Sequence, residues 1–354
     1  MGIIYFIILL SVIVIIHEMG HLLAAKAFNV YCPEFSIGMG PKLFGKKIGE
    51  TTYNIRAFPI GGFVAMAGDT DNNLETKVDT NEIPEERTIL GISKWKKIII
   101  MLAGVFMNFL LALILTSIIF LNQGAIVGDA PAEFAEVISN QPVAEAGILE
   151  GDHIIKVIFA DGTVVSNPDN FNEVLVYLLA NKGDIIFTVE RNDEIFTTTV
   201  VPDYNEETDE YTIGIGIPQG EIIEVTVANV LPVSANFLLS TTKLIYNSLV
   251  QIIMGRGLEN VSGPVGIYSL SNDAAEQGLS SFVFLIALLS LNIGIFNLLP
   301  LPVLDGGRVL LTIIEIIFGK KLNAKVENAI MTFSVALLLA FMLFATFQDI
   351  LKLF

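Results

Sequence analysis

The chain reads as a polytopic α-helical membrane protein with four transmembrane helices, a membrane-associated β-hairpin and one inserted extracytoplasmic α/β domain. Three observations predict this class. Of 354 residues, 53% are hydrophobic and only 16% charged, too apolar a balance for an ordinary soluble protein. Uncharged runs long enough to cross ~30 Å of hydrocarbon occur at 98–121, 279–304 and 328–348. The net charge of −17 is concentrated in one stretch, because residues 122–280 hold 5 Lys and Arg against 23 Asp and Glu. A surface this acidic argues against nucleic acid as a partner.

The first span, within residues 1–29, starts as the uncharged run 2–16. It reaches spanning length only by continuing through the sequence HEMGH, His17 to His21. Two histidines at i and i+4 share a helical face and can bind one zinc ion, with Glu18 placed to take a proton from a water. That combination is a metalloprotease signature. At ~1.5 Å per residue His17 lies roughly 20 Å from the outer end of the span. Ionisable groups at that depth are costly unless they meet a metal, water or one another. A cleaved signal peptide is the rival reading of residues 1–27, since Ala25-Lys26-Ala27 imitates a cleavage site. No basic region precedes the apolar run, however.

Lys26, Lys94, Lys96, Lys97, Arg308, Lys320, Lys321 and Lys325 gather near the span ends, in two loops. By the positive-inside rule those loops are cytoplasmic, which places the acidic stretch and both termini outside. The first loop, 30–96, carries β-favouring runs at 51–55 and 63–67 around a Pro59…Gly61-Gly62 break, a hairpin at about 48–68. Two readings stand for it: a strand edge that offers Gly61 and Gly62 to an extended peptide, or a plain connection. Residues 69–87 are polar and read as a cytoplasmic loop. Cys32 is the only cysteine, so no internal disulfide forms, and it reads as a small buried hydrophobe.

The second span, 97–121, opens on lysines around the interfacial Trp95. Within it Ala103-Gly104 permits close helix approach and Asn108 offers a polar contact. Residues 128–203 form the soluble domain, with β-rich runs at 135–138, 154–159, 185–190 and 194–201 and a helix at 168–180. His153 lies there and reads as a surface residue. In the linker 204–278, residues 232–255 have helical periodicity around Lys243, and 261–267, VSGPVGI, read as a Gly/Pro turn back to the bilayer. The helix is taken as interfacial, because a fifth span would carry the next motif to the wrong side.

The third span, 279–317, contains LNIGIFNLLPLPVLDGGR, residues 291–308. Prolines at i and i+2 cannot sit in an unbroken helix, and Asp-Gly-Gly calls for irregular backbone. Such backbone is tolerated in a membrane only where it is buried in protein or lines a wet cavity. Counting ~1.5 Å per residue brings Asp305 to about the depth of His17. With no histidine left to complete the site, its carboxylate is the natural third ligand, although Asp-Gly is also common in plain turns. Asn292 and Asn297 either bond neighbouring helices or hold the backbone of an unwound substrate. The fourth span is 328–348.

The stretch QPVAEAGILEGDHI, residues 141–154, resembles the core of PDZ domains, which bind extended peptides by strand addition. HEMGH, PIGGFV, one PDZ-like domain, SGPVGI and NLLPLPVLDGG together resemble the bacterial site-2 protease family of intramembrane zinc metalloproteases, the regulator-of-sigma-E type. That resemblance implies one zinc ion held by His17, His21 and Asp305, Glu18 as catalytic acid/base, and Asn292 and Asn297 as substrate-positioning residues. It further implies the bacterial inner membrane and an active site near the cytoplasmic face. Its substrates would be single-pass proteins or signal peptides already shortened by a site-1 protease. Some family members carry two PDZ domains, and this chain has room for one. Two other classes remain: a scaffold with structural zinc, disfavoured because three ligands do not close a structural site, and a transporter, disfavoured by the lack of an inverted repeat.

Overall fold

Apolar residues uninterrupted by proline fold as one helix, α1 (Gly2–Ala27). The computed structural model describes residues 2–69, 83–180, 183–205, 210–216, 218–258, 261–320 and 323–352. After α1 come β1 (Glu34–Ile48) and β2 (Thr51–Ala65), antiparallel around their turn from Ile48 opposite Thr51 to Lys42 opposite Arg56. The hairpin expected at 48–68 thus begins earlier, at Glu34. Glycines and Pro41 hide β1 from a propensity reading, and its first residues are held by two neighbours at once. Phe35 lies beside both Tyr53 and Val64, and Ile37 beside both Ile55 and Gly62. The Pro59…Gly62 break therefore returns the end of β2 along the start of β1. Buried Glu34 accepts hydrogen bonds from Ser36 and, at 2.7 Å, from Arg56, which also donates to the Gly40 carbonyl at 2.8 Å. This polar lock fixes the ribbon at its centre. Most of the polar loop expected at 69–87 falls outside the described residues. α2 (Lys94–Gln123) is the second long apolar helix.

The chain divides into two compact units, Met1–Ile119 with Ser262–Phe354, and Phe120–Val261. In the second unit β3 (Ala125–Val127) and β4 (Glu136–Val137) precede a short helix α3 (Pro142–Glu145) and then β5 (His153–Phe159) and β6 (Val164–Ser166). Next come α4 (Phe171–Ala180), β7 (Ile185–Arg191), β8 (Glu194–Val200), β9 (Asp203–Asn205), β10 (Glu210–Thr212), β11 (Ile215–Gly216), β12 (Ile222–Glu224) and α5 (Val230–Ile253). The main sheet has the order β6-β5-β7-β8 and is antiparallel. Its apolar face, with Ile154, Val157, Phe187 and Val189, packs on Phe134, Val143, Phe171 and Val174, and Ile213 and Ile215 close the same core. Asp152, wholly buried, is held by two hydrogen bonds from Arg191, each 2.6 Å, and one from the Leu149 amide. His153 is exposed. Lys243 of α5 pairs with Asp169 at 2.6 Å and Glu173 at 3.4 Å, strapping α5 along α4.

The first unit resumes with α6 (Pro264–Gln277), α7 (Leu279–Asn297), α8 (Asp305–Phe318) and α9 (Ala324–Leu351). The expected Gly/Pro turn at 261–267 is instead the start of helix α6. Pro264 occupies the first helical turn, where a missing N–H costs nothing. Asp349 of α9 accepts the Gly263 and Gly266 amides at 3.1 and 2.7 Å. The break after α7 occupies residues 298–304, around Pro300 and Pro302, but Asp305-Gly306-Gly307 is helical, contrary to the irregular backbone expected there. The two glycines serve close approach: a Cβ at Gly306 would collide with the Leu298 carbonyl and one at Gly307 with the Leu301 carbonyl. The broken segment thereby folds flat against the first turn of α8.

Among the described residues α1, α2, α7 and α9 are long and apolar enough to cross a membrane, whereas α5 does not qualify. Two apolar clusters hold α1 along its length. Near its start Leu9 and Ile13 pack against Phe282 and Ile286 of α7, and near its end Leu22 and Ala25 pack with Phe35, Val64 and Ile100. The HEMGH sequence lies between the two clusters.

Candidate metal centre

Helical spacing puts His17 and His21 on one face of α1, where their Nε2 atoms are 3.2 Å apart. The break after α7 delivers Asp305, at the first turn of α8, to the same point. Its Oδ2 lies 3.2 Å from His17 Nε2 and 3.4 Å from His21 Nε2. Tetrahedral coordination at ~2.0–2.1 Å separates ligand atoms by ~3.3 Å, so the triangle has the right size for one zinc ion. Among the described residues the buried Asp305 Oδ2 has no hydrogen-bond partner, a cost that a shared cation removes. Among the described residues this is the one group of three such side chains whose donor atoms all lie within 4.8 Å of one another.

The wall opposite the histidines is α2. A Cβ on Gly104 would lie 2.5 Å from His21 Nε2 and 2.8 Å from His17 Cε1, so this glycine leaves the space that the donors face. From the same helix the Ile100 carbonyl accepts His21 Nδ1–H at 2.8 Å. That bond leaves His21 Nε2 with its lone pair free for a metal. The wholly buried Asn108 lies 3.2 Å from His17 Nδ1. Gly104 and Asn108 are legible in the sequence only as packing residues. Their place at the metal centre depends on the pairing of α1 with α2, for which a lone sequence carries no signal.

Glu18 lines a cavity of about 240 Å³ together with His17, His21, Asp305, Asn297, Phe63 and Val64. Phe63 and Val64 bring the returning end of the hairpin into the same cavity as the Glu18 carboxylate. A Cβ on Gly62 would sit 2.8 Å from the Ser36 carbonyl and 3.7 Å from Glu18 Cγ. Gly61 has φ +81°, a backbone that favours glycine, and faces Met39. Asn297, at the end of α7, faces the cavity, whereas Asn292 is not among its lining residues. Cys32 is buried, and burial pushes its thiol up to about 12, which makes it inert.

The peptidase family M50 model, the site-2 protease family, matches residues 5–341. The chain belongs to this family. A Clostridium perfringens protein with the provisional name of zinc metalloprotease is 35% identical, with 99% of both chains covered. The regulator of sigma-W protease RasP of Bacillus subtilis and the zinc metalloprotease RasP of Bacillus licheniformis are each 29% identical, again over 99% of both chains. This M50 protein is a multi-pass membrane zinc metalloprotease.

Proposed function

We propose that the protein hydrolyses peptide bonds within or near the membrane-spanning segments of single-pass proteins or remnant signal peptides. In this reading His17, His21 and Asp305 hold the zinc and Glu18 is the general base. The observation that carries it is the convergence in one cavity of the three donors, Glu18 and the edge of the hairpin. Bound zinc lowers the pKa of a coordinated water to about 7 and polarises the scissile carbonyl. Glu18 accepts the proton of the attacking water and returns it to the leaving amine. The substrate must be unwound at the cleavage point, because helical backbone encloses its own carbonyls. Residues 61–64 offer it a strand edge beside Glu18, and Asn297 supplies an amide to its backbone.

The depth of His17, the lysines at Lys94, Lys96 and Lys97 and the acidic second unit support a bacterial inner-membrane orientation. The active site is then near the cytoplasmic face, with both termini and the second unit extracytoplasmic. The second unit, with its antiparallel sheet, α4 and the GILEGD stretch, is a PDZ-like module that binds or excludes ectodomains, which fits substrates already trimmed by a site-1 protease. A Glu18→Gln variant tests the proposal. It retains zinc, loses cleavage by about 10²–10⁴-fold, and lets membrane peptides accumulate in cells. Undiminished turnover would remove Glu18 from the mechanism.

A further inference from the structure

His17 and His21 present Nε2 to the same point, so in the metal-bound state each carries its proton on Nδ1. His21 places that proton on the Ile100 carbonyl. At His17 the facing group is the side-chain nitrogen of Asn108, 3.2 Å from Nδ1, while Asn108 Oδ1 is buried with no hydrogen-bond partner among the described residues. Two N–H donors then oppose each other beside an orphaned acceptor. The two ends of a carboxamide have the same shape and are distinguished by their hydrogen bonds. Turning the amide by 180° brings the orphaned oxygen onto His17 Nδ1–H and removes the donor clash.

We propose that Asn108 is a positioning residue for the metal centre: its carbonyl oxygen accepts His17 Nδ1–H and fixes the tautomer that leaves Nε2 free for zinc. Both ligand histidines are then oriented from α2 by oxygen acceptors, the Ile100 backbone carbonyl and the Asn108 side chain. The position of Asn108 is itself braced, since its backbone carbonyl accepts Ser290 Oγ of α7 at 2.9 Å. A polar residue serving only to join helices would need no carboxamide placed 3.2 Å from an imidazole.

The inference rests on His17 as a zinc ligand. The test is chelator competition for zinc on detergent-purified full-length protein, with the visible spectrum of the cobalt-substituted protein as a second readout. Asn108→Leu keeps the shape but has no acceptor, and its zinc affinity falls about 10–100-fold. Asn108→Asp keeps the acceptor and stays within a few-fold of wild type, with an unchanged cobalt spectrum. Wild-type affinity in Asn108→Leu overturns the proposal, as does a tenfold or greater loss in Asn108→Asp, whether or not the leucine variant folds. His17→Ala separates the two readings. If it keeps full affinity, the ligand assignment itself fails; if it loses zinc while Asn108→Leu does not, only the role of Asn108 fails.

Discussion

Replacing Gly104 by alanine adds one methyl group where the metal centre has no room for it. The new carbon would lie 2.5 Å from His21 Nε2, 2.7 Å from His21 Cε1 and 2.8 Å from His17 Cε1. Ordinary contact of carbon with a ring atom begins near 3.5 Å, so the imidazoles must retreat by roughly 1 Å. Metal–ligand distances tolerate about 0.2 Å, so the displacement is several times what zinc accepts. We expect zinc affinity to fall at least as far as on loss of a supporting hydrogen bond, about 10–100-fold, and cleavage to fall with it. Helix propensity acts in the opposite direction, since alanine favours an α-helix over glycine by about 1 kcal/mol. A damaged helix therefore does not account for the loss. Zinc content of the purified protein and thermal unfolding of the metal-free form are the paired assays. A Gly104→Ala protein with full zinc and full activity would refute the geometry of the site, whatever its stability.

Other perturbations separate the site from its scaffold. Asp305→Ala removes one of three donors and should release zinc while leaving the second unit folded, checked by metal analysis and limited proteolysis. Arg191→Leu strips the buried Asp152 of its counter-ion and should destabilise the second unit, read by denaturant unfolding, with zinc retained. Asp349→Ala removes the acceptor for the amides that start α6 and should cost about 1–2 kcal/mol, seen as faster hydrogen exchange in α6. Burial raises the Glu34 carboxyl, but the bonds from Ser36, Arg56 and Asn54 outweigh it and hold the group below its ordinary range. Its contribution to stability is then present above pH ~4.3, the ordinary glutamate value, and is lost as pH falls through the lowered one. Hydrogen exchange of β1 should rise in that acid window, and Glu34→Gln should abolish the step.

What the sequence made legible follows physical range. HEMGH is local: one helix turn sets the spacing of its ligands, so the residue types alone name the chemistry. Asp305 is far along the chain, yet the prolines at 300 and 302 mark a helix end, and counting rise per residue brings it to the depth of His17. The four long helices were visible for the same reason, because hydropathy accumulates residue by residue. The hairpin was legible only in part. Strand order 34–37 between 52–55 and 62–65 comes from long-range pairing, and Gly38, Gly40 and Pro41 erase the alternation that would show β1. α6 was missed because VSGPVGI reads locally as a turn. Its helical start depends on Asp349, more than eighty residues away.

Glycine shows the limit most sharply, since one residue type carries different meanings that the sequence does not separate. Gly61 is set by its own backbone angle, a local property. Gly306 and Gly307 invite a reading as turn formers, but they are helical, and the loop that packs onto them is what excludes a side chain. Gly104 sits in an unbroken apolar helix, where it looks like a small residue for helix packing. Its neighbours are two imidazole rings whose place against α2 is fixed by the apolar clusters at either end of α1. The donors come from α1 and α8, but the empty volume between them is set by a hydrogen atom on α2. A metal centre in a membrane bundle is thus specified as much by what the facing helix omits as by the ligands.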